Sequence, residues 1–241
     1  MKAADLLREI SAEQETLEEC LFELRDRMRL GCTHILIYGF FASLKARSRN
    51  DCVMSSTGGP GLLKAFQAMG GSASDVIATN LENFTEVKSY DMLAISKVMH
   101  KRGDSRRSFG DLLISAGARI GWICPVNTRE LVGYAALNHF VGADTPRSVM
   151  HNGFLQELAS GFHAEMIKGG QLAKELSLTS KEIEALTLVA GGKTAAEISL
   201  LIDLSQRAVE MRLQSARTKL RSRTSAEAIF KAMAYGAIPK H

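Results

Sequence analysis

The clearest pattern of apolar and polar positions lies between residues 178 and 220, LTSKEIEALTLVAGGKTAAEISLLIDLSQRAVEMRLQSARTKL. Ile183, Leu186, Leu188 and Val189 recur at helical spacing, and Gly191-Gly192 ends that helix, because glycine readily takes the backbone conformation of a helix terminus. Thr194 caps a second predicted helix with Glu197 as its capping-box partner and Ile198, Leu201 and Ile202 as its apolar face. Asp203-Leu204-Ser205 makes a short turn. A third helix is predicted from about Gln206 to Leu220, burying Val209, Leu213, Ala216 and Leu220 and turning a basic, polar face outward. Two short helices around a tight turn, the second rich in cations, make a helix-turn-helix suited to the major groove of DNA.

The first two thirds of the chain read differently. Leu6, Leu7, Ile10, Leu17, Leu21, Leu24 and Met28 form one stripe, which predicts a single long helix over residues 3–29. That helix either packs on its own domain or receives a partner. Residues 32–41 (CTHILIYGFF) are β-branched and aromatic, as in a buried strand, and CVMSS at 52–56 suggests a second before the turn TGGPG. Helices are expected at 62–69, 90–100 and 109–118, with a poorly patterned stretch from 70 to about 87 and an exposed loop at 101–107. Residues 119–126 and 131–140 read as antiparallel strands around a turn at 127–130, and a helix follows over about 146–168. This order suits an α+β sensor-like domain, an antiparallel sheet flanked by helices. The expected organisation is a regulatory and dimerisation domain at 1–168, a linker at 169–177 beginning Gly169-Gly170, and an all-α helix-turn-helix domain at 178–241.

Charge sharpens the picture at the C-terminal end. The chain holds 30 Lys and Arg against 26 Asp and Glu, net +4, and residues 178–241 hold 10 and 6 of these, so they carry all of the excess. Arg207, Arg212, Arg217, Lys219, Arg221 and Arg223 are opposed between them only by Glu210. Such clustering fits a phosphate backbone. Other chemistry is excluded. Gly191-Gly192-Lys193-Thr194 imitates the end of a P-loop, but the glycine required five residues before Gly192 is Thr187. Cys20, Cys32, Cys52 and Cys124 form no Cys-x-x-Cys pair and read as reduced thiols, and the six histidines lack metal-ligand spacing. A response regulator needs a phospho-accepting aspartate at a strand end, and neither Asp51 nor Asp75 closes a clear strand. No catalytic residue, metal or cofactor is expected. No apolar run approaches membrane-spanning length and the N-terminus is acidic, unlike a signal peptide, so a cytoplasmic protein with no membrane partner is expected.

Residues 178–229 resemble the DNA-binding domain of the LuxR family of bacterial transcription regulators. The resemblance runs through Leu178, Thr179, Lys181, Glu182, Glu184 and Leu186, then Ala190, Gly192, Thr194, Glu197 and Ile198, then Ser205, Val209, Lys219 and Leu220. Ala208 stands where the family usually has threonine, and Arg212 where it usually has histidine. Residues 109–165 also resemble the second half of the family's signal-binding domain, through Ala118-x-x-Gly121, Ile123-Cys124-Pro125-Val126 and Gly133-Tyr134-Ala135. The Trp-x-x-x-Tyr pair and Asp-Pro that hold an acyl-homoserine lactone in that family are missing. The resemblance therefore implies a transcription factor whose sensor has diverged from quorum sensing, or one gated by another small molecule. In lacking those contacts the chain is similar to the family's paired VisN/VisR-type regulators, which implies a related regulator as partner.

Register against buried Val209 and Leu213 turns Gln206, Arg207, Glu210, Met211 and Gln214 outward as base contacts. Glu210 is expected to accept from a cytosine amino group, Gln214 to pair with adenine and Met211 to touch a thymine methyl. Lys193, Thr194, Arg212, Arg217, Lys219 and Arg223 are expected on phosphates of double-stranded DNA. One small domain offers too few contacts for a specific site, so a homodimer or heterodimer is expected. The resemblance assigns its pairing to the last helix, where Ala228, Ile229, Ala232 and Met233 form a stripe. Tyr38, Tyr90, Trp122 and Tyr134 are the candidates for lining a small-molecule site.

Overall fold

The computed structural model describes residues 3–30, 34–41, 52–68, 86–101, 109–126, 134–142 and 152–239. The patternless stretch up to 85, most of the 101–107 loop, the 127–130 turn and residues 146–151 lie outside them. The chain divides into two compact units, Met1–Glu165 and Met166–His241.

The first unit begins with two helices, α1 (Ala3–Glu13) and α2 (Leu17–Arg27), where the apolar stripe predicts one. Thr16 breaks it: its hydroxyl accepts from the Glu19 amide and the Glu19 carboxylate accepts from the Thr16 amide, a full capping box. Both stripes are buried within the chain, Leu6, Leu7 and Ile10 on α1 and Leu17, Cys20, Leu21 and Leu24 on α2. Arg27 joins the helices by pairing with Glu9 and Glu13 of α1 and with Glu23 of α2.

Then come β1 (Ile35–Phe41), β2 (Cys52–Ser56), α3 (Pro60–Ala68), β3 (Lys88–Asp91), α4 (Met92–Lys101), α5 (Phe109–Ser115), β4 (Ile120–Pro125), β5 (Tyr134–Val141) and α6 (Asn152–Lys168). The strands form one antiparallel sheet in the order β2-β1-β5-β4-β3. The expected hairpin of residues 119–140 is β4 paired with β5. β3 corrects the expected helix start at residue 90: Lys88–Asp91 pairs with β4 at the sheet edge, and Asp91 then caps α4 by accepting from the Leu93 and Ala94 amides.

Side chains on paired residues share a face, so register sorts the sheet. One face carries Ile35, Ile37 and Phe140 against Leu62 of α3, Met92 of α4 and Leu113 of α5. Gly121 sits under Phe140, where a Cβ would come within 2.6 Å of the ring. The other face carries Tyr38 and Phe40 against Phe162 and His163 of α6. α1 reaches α6 through Ser11, whose hydroxyl donates to the Glu165 carbonyl, and through Leu7, which lies against Gly161.

The second unit contains α7 (Gln171–Lys174), α8 (Ser180–Ala190), α9 (Ala195–Leu201), α10 (Gln206–Lys219) and α11 (Ser225–Ala234). The segment expected as a linker is packed: Leu172 of α7 is fully buried and Leu176 lies against the core of the helical unit. That core joins Leu186, Ala216, Leu220, Ala228, Ala232 and Ile238.

Candidate nucleic-acid interface

In the second unit, α8, α9 and α10 are each bounded by local polar chemistry. Thr179 and Thr194 each form a complete capping box, with Glu182 and Glu197. Gly192, at a φ of +83°, ends α8, and the Lys193 amide reaches back to the Leu188 carbonyl. Asp203 takes a φ of +50° in the turn, a conformation that aspartate tolerates better than most residues. Ser205 then caps α10 by accepting from the Ala208 amide. One apolar assignment changes: Ile198 is fully buried and Ile202 half-buried, but Leu201 is 60% exposed, and its neighbour Leu200 is also exposed. α9 stops at Leu201, and of its seven residues only Ile198 is fully buried.

α10 buries Val209 and Ala216, half-buries Leu213, and leaves Gln206, Arg207, Glu210, Met211 and Gln214 exposed. These are the five residues expected to face bases, and they stand on the helix's outer side. Two side-chain pairs tie them along the helix. The Gln206 amide nitrogen donates to a Glu210 carboxylate oxygen at 3.1 Å, and Arg217 donates through Nη2 to the Gln214 carbonyl oxygen.

The residues expected on phosphates separate into two groups. Lys193, Thr194 and Arg223 are exposed, although the Thr194 hydroxyl also serves the cap of α9. Arg212, Arg217 and Lys219 have partners inside the domain. Arg212 lies 3.5 Å from Glu184 of α8, and Lys219 donates to Glu182 at 2.8 Å and to the Ser177 carbonyl at 3.0 Å. Arg217 is half-buried, and its Nε has no hydrogen-bond partner among the described residues.

Glu182 is the centre that sequence reading missed. It is a buried carboxylate that accepts from Lys219, from the Ser215 hydroxyl at 2.6 Å and from the Thr179 amide at 2.7 Å. Burial pushes its carboxyl up, but the hydrogen bonds from Lys219, Ser215 and Thr179 outweigh burial and bring its pKa down to about 2. Both Ser215 and Lys219 belong to α10, so this one side chain fixes α10 against α8. In the sequence it stood as a position of the family resemblance and, three residues after Thr179, at the spacing of a capping-box partner, which accounts for one of its partners.

Lys231 of α11 does comparable work at the other end. It is buried and donates to the carbonyls of Leu220 at 3.1 Å and Arg221 at 3.0 Å, just past the end of α10. A cation there also complements the negative end of the helix dipole. The stripe expected to pair with a second molecule is occupied first inside the chain: Ala228 and Ala232 are fully buried, and Ile229 and Met233 pack against the same core. The exposed large apolar side chain of α11 is Phe230, at 41%.

Residues 176–232 match the family model for bacterial regulatory proteins of the luxR family. This domain belongs to the luxR family. The match covers the helix-turn-helix and most of α11, so the luxR-family domain is the DNA-binding part of a transcription regulator. The whole chain is also similar in fold to Escherichia coli SdiA, with a TM-score of 0.54 at 17% identity, covering 98% of each chain. A structure of SdiA in complex with octanoyl-rac-glycerol gives a TM-score of 0.54 at 16% identity over 99% of this chain and 96% of that one. Comparison with curated proteins gave no match.

In the first unit the four small-molecule candidates do not gather in one place. Tyr38 is fully buried, and its hydroxyl lies 2.6 Å from His163 Nδ1. Trp122 is buried and stacks on His139, which in turn stacks on His34. Register puts Tyr90 on the opposite face, beside Gly121 and half-buried against the core there. Of Tyr134 only the backbone is described, paired with Phe41. No described helix is long and apolar enough to cross a membrane.

Proposed function

We propose that the chain is a dimeric, sequence-specific transcription regulator that acts without catalysis and whose first unit does not hold an acyl-homoserine lactone by the family's usual contacts. The observation that carries the DNA-reading half is the outer face of α10, where Gln206, Arg207, Glu210, Met211 and Gln214 are all exposed on a helix whose opposite side is core. Lys193 and Arg223 supply the phosphate contacts most readily, because Arg212, Arg217 and Lys219 must also serve their partners within the domain, as the Thr194 hydroxyl serves the cap of α9. Pairing of two domains uses the rim of α11, Phe230 with the half-buried Ile229 and Met233, over the buried Ala228 and Ala232. The partner is a second copy or a related regulator.

A second reading, gating by a different small molecule, is favoured by one observation. Asn138 shares the sheet face of Ile37 and Ile123, and its side-chain oxygen is buried without a hydrogen-bond partner among the described residues. An unmade hydrogen bond in such a place suits a polar group on a ligand. SdiA, of similar fold, has been seen with octanoyl-rac-glycerol, which makes an uncharged acyl glycerol a reasonable first probe.

The deciding experiment is a DNA-binding titration, against random duplexes, of protein made in a host that produces no acyl-homoserine lactone, with and without added lactones or octanoyl glycerol. Selective binding without additive supports a constitutive or partner-controlled regulator. Binding only with a lactone overturns the diverged-sensor reading, and binding only with the glycerol supports the second one. In the same assay Phe230→Glu is expected to abolish cooperative occupation of paired half-sites while single half-sites still bind. Unchanged cooperativity would move the dimer contact away from α11.

A further inference from the structure

We infer that Arg217 decides which base Gln214 reads, making it a donor to guanine instead of a partner for adenine. The inference rests on the proposed seating of α10 in the major groove. A glutamine selects adenine by using both ends of its amide, the oxygen accepting from N6 and the nitrogen donating to N7. In this chain Arg217 Nη2 donates to the Gln214 side-chain oxygen. A guanidinium carries only donors, so the end of the amide that it engages must be the carbonyl. The NH2 end is what remains to face outward.

The two members of the pair differ in freedom. They stand three residues apart and so share one helix face. Gln214 is exposed, whereas Arg217 is half-buried with its Nε closed off from solvent. The arginine is therefore the anchor and the glutamine the member that it orients. Guanine shows two acceptors, N7 and O6, to an outward NH2 group. Adenine shows N7 beside its own amino group, which sets donor against donor.

One turn earlier the polarity is reversed. Glu210 takes the Gln206 amide proton on one carboxylate oxygen and keeps the other as an acceptor, suited to a cytosine amino group. α10 thus presents an acceptor at residue 210 and a donor at residue 214, each held by a neighbour on the same helix.

The test is selection from random duplexes with the full-length protein at low ionic strength, followed by titration of the selected site and its single-base variants. Wild type is expected to require guanine at one position, and Gln214→Ala to lose that requirement, which assigns the position. Arg217→Met releases the amide, and the guanine-to-adenine preference there is expected to fall by roughly fivefold or more. Because that variant touches a half-buried side chain, Gln214→Glu provides an independent arm on an exposed one. A carboxylate has no proton to donate, so its preference should move from guanine to cytosine. Adenine selected by the wild type, guanine retained by Gln214→Glu, or an equal loss on all four bases in Arg217→Met would each overturn the inference. Complete absence of sequence selection overturns the major-groove seating itself, a failure distinguishable from these because no base position can then be assigned.

Discussion

Glu182 shows how one buried charge organises a small domain. Its three donors come from the capped end of α8 and from two sites on α10, and together they hold it ionised inside the protein. A carboxylate whose pKa is lowered on folding stabilises the folded state above its unfolded pKa and loses that contribution as the pH falls through the folded one. The contribution of Glu182 is therefore intact above pH 4.5 and lost as the pH falls towards about 2. Glu182→Gln removes the charge that Lys219 and Ser215 address. It is expected to lower unfolding stability by about 1–3 kcal/mol at neutral pH and to flatten the acid limb, as chemical denaturation across pH would show. In the first unit, Gly121→Ala places a methyl group against the Phe140 ring and is expected to lower stability by about 1–3 kcal/mol, measured by thermal unfolding. Gly121 was visible in the sequence as a motif position, but its reason, the ring above it, belongs to another strand.

At the scale of elements, local signals were reliable where they were complete. Three helices of the DNA-binding unit, α8, α9 and α10, begin on a hydroxyl cap, at Thr179, Thr194 and Ser205, of which Thr194 was singled out from the sequence. The same signal at Thr16 and Glu19 was overlooked because a continuous apolar stripe ran across it, and the stripe is in fact shared by two helices, each buried along it. Thr16→Ala is expected to lower stability by about 1 kcal/mol, read from the denaturant midpoint, and a change below a few tenths would mean that packing alone sets the break. β3 was illegible for the opposite reason. Lys88–Asp91 is a short edge strand with exposed residues at three of its four positions, so it shows no apolar alternation, and only β4 beside it makes it a strand.

At the scale of the whole molecule, the two units offer separate readouts. The chain's one tryptophan, Trp122, lies in the first unit and stacks on His139 at 5.7 Å, so its fluorescence follows that unit alone. His139 is buried and lies 2.9 Å from His34, nitrogen to nitrogen. Burial, reinforced by the neighbouring His34, lowers the His139 pKa from 6.5 to about 3. A histidine lowered in this way binds fewer protons folded than unfolded, so its contribution is complete above pH 6.5 and is lost as the pH falls towards about 3. Tryptophan-monitored unfolding is therefore expected to show the first unit weakening between pH 6.5 and 4, with the slope reduced in His139→Phe. An unchanged slope in that variant would assign the acid sensitivity to other groups. Burial also pushes the Cys124 thiol up to about 12, and it is expected to resist alkylation in the folded protein at neutral pH.

The sequence by itself determined the helix-turn-helix, because its caps, turn and apolar spacing act over three or four residues and its charge is concentrated in one quarter of the chain. It also determined the antiparallel hairpin of β4 and β5, whose strands follow one another. The tertiary structure decided whatever depends on residues far apart along the chain. It buried Glu182 between α8 and α10, occupied the Ala228 and Ala232 stripe with the domain's own core, and divided Tyr90 from Tyr38 and Trp122 by the two faces of one sheet. Periodicity tells which side of an element is apolar. Only packing tells what that side meets.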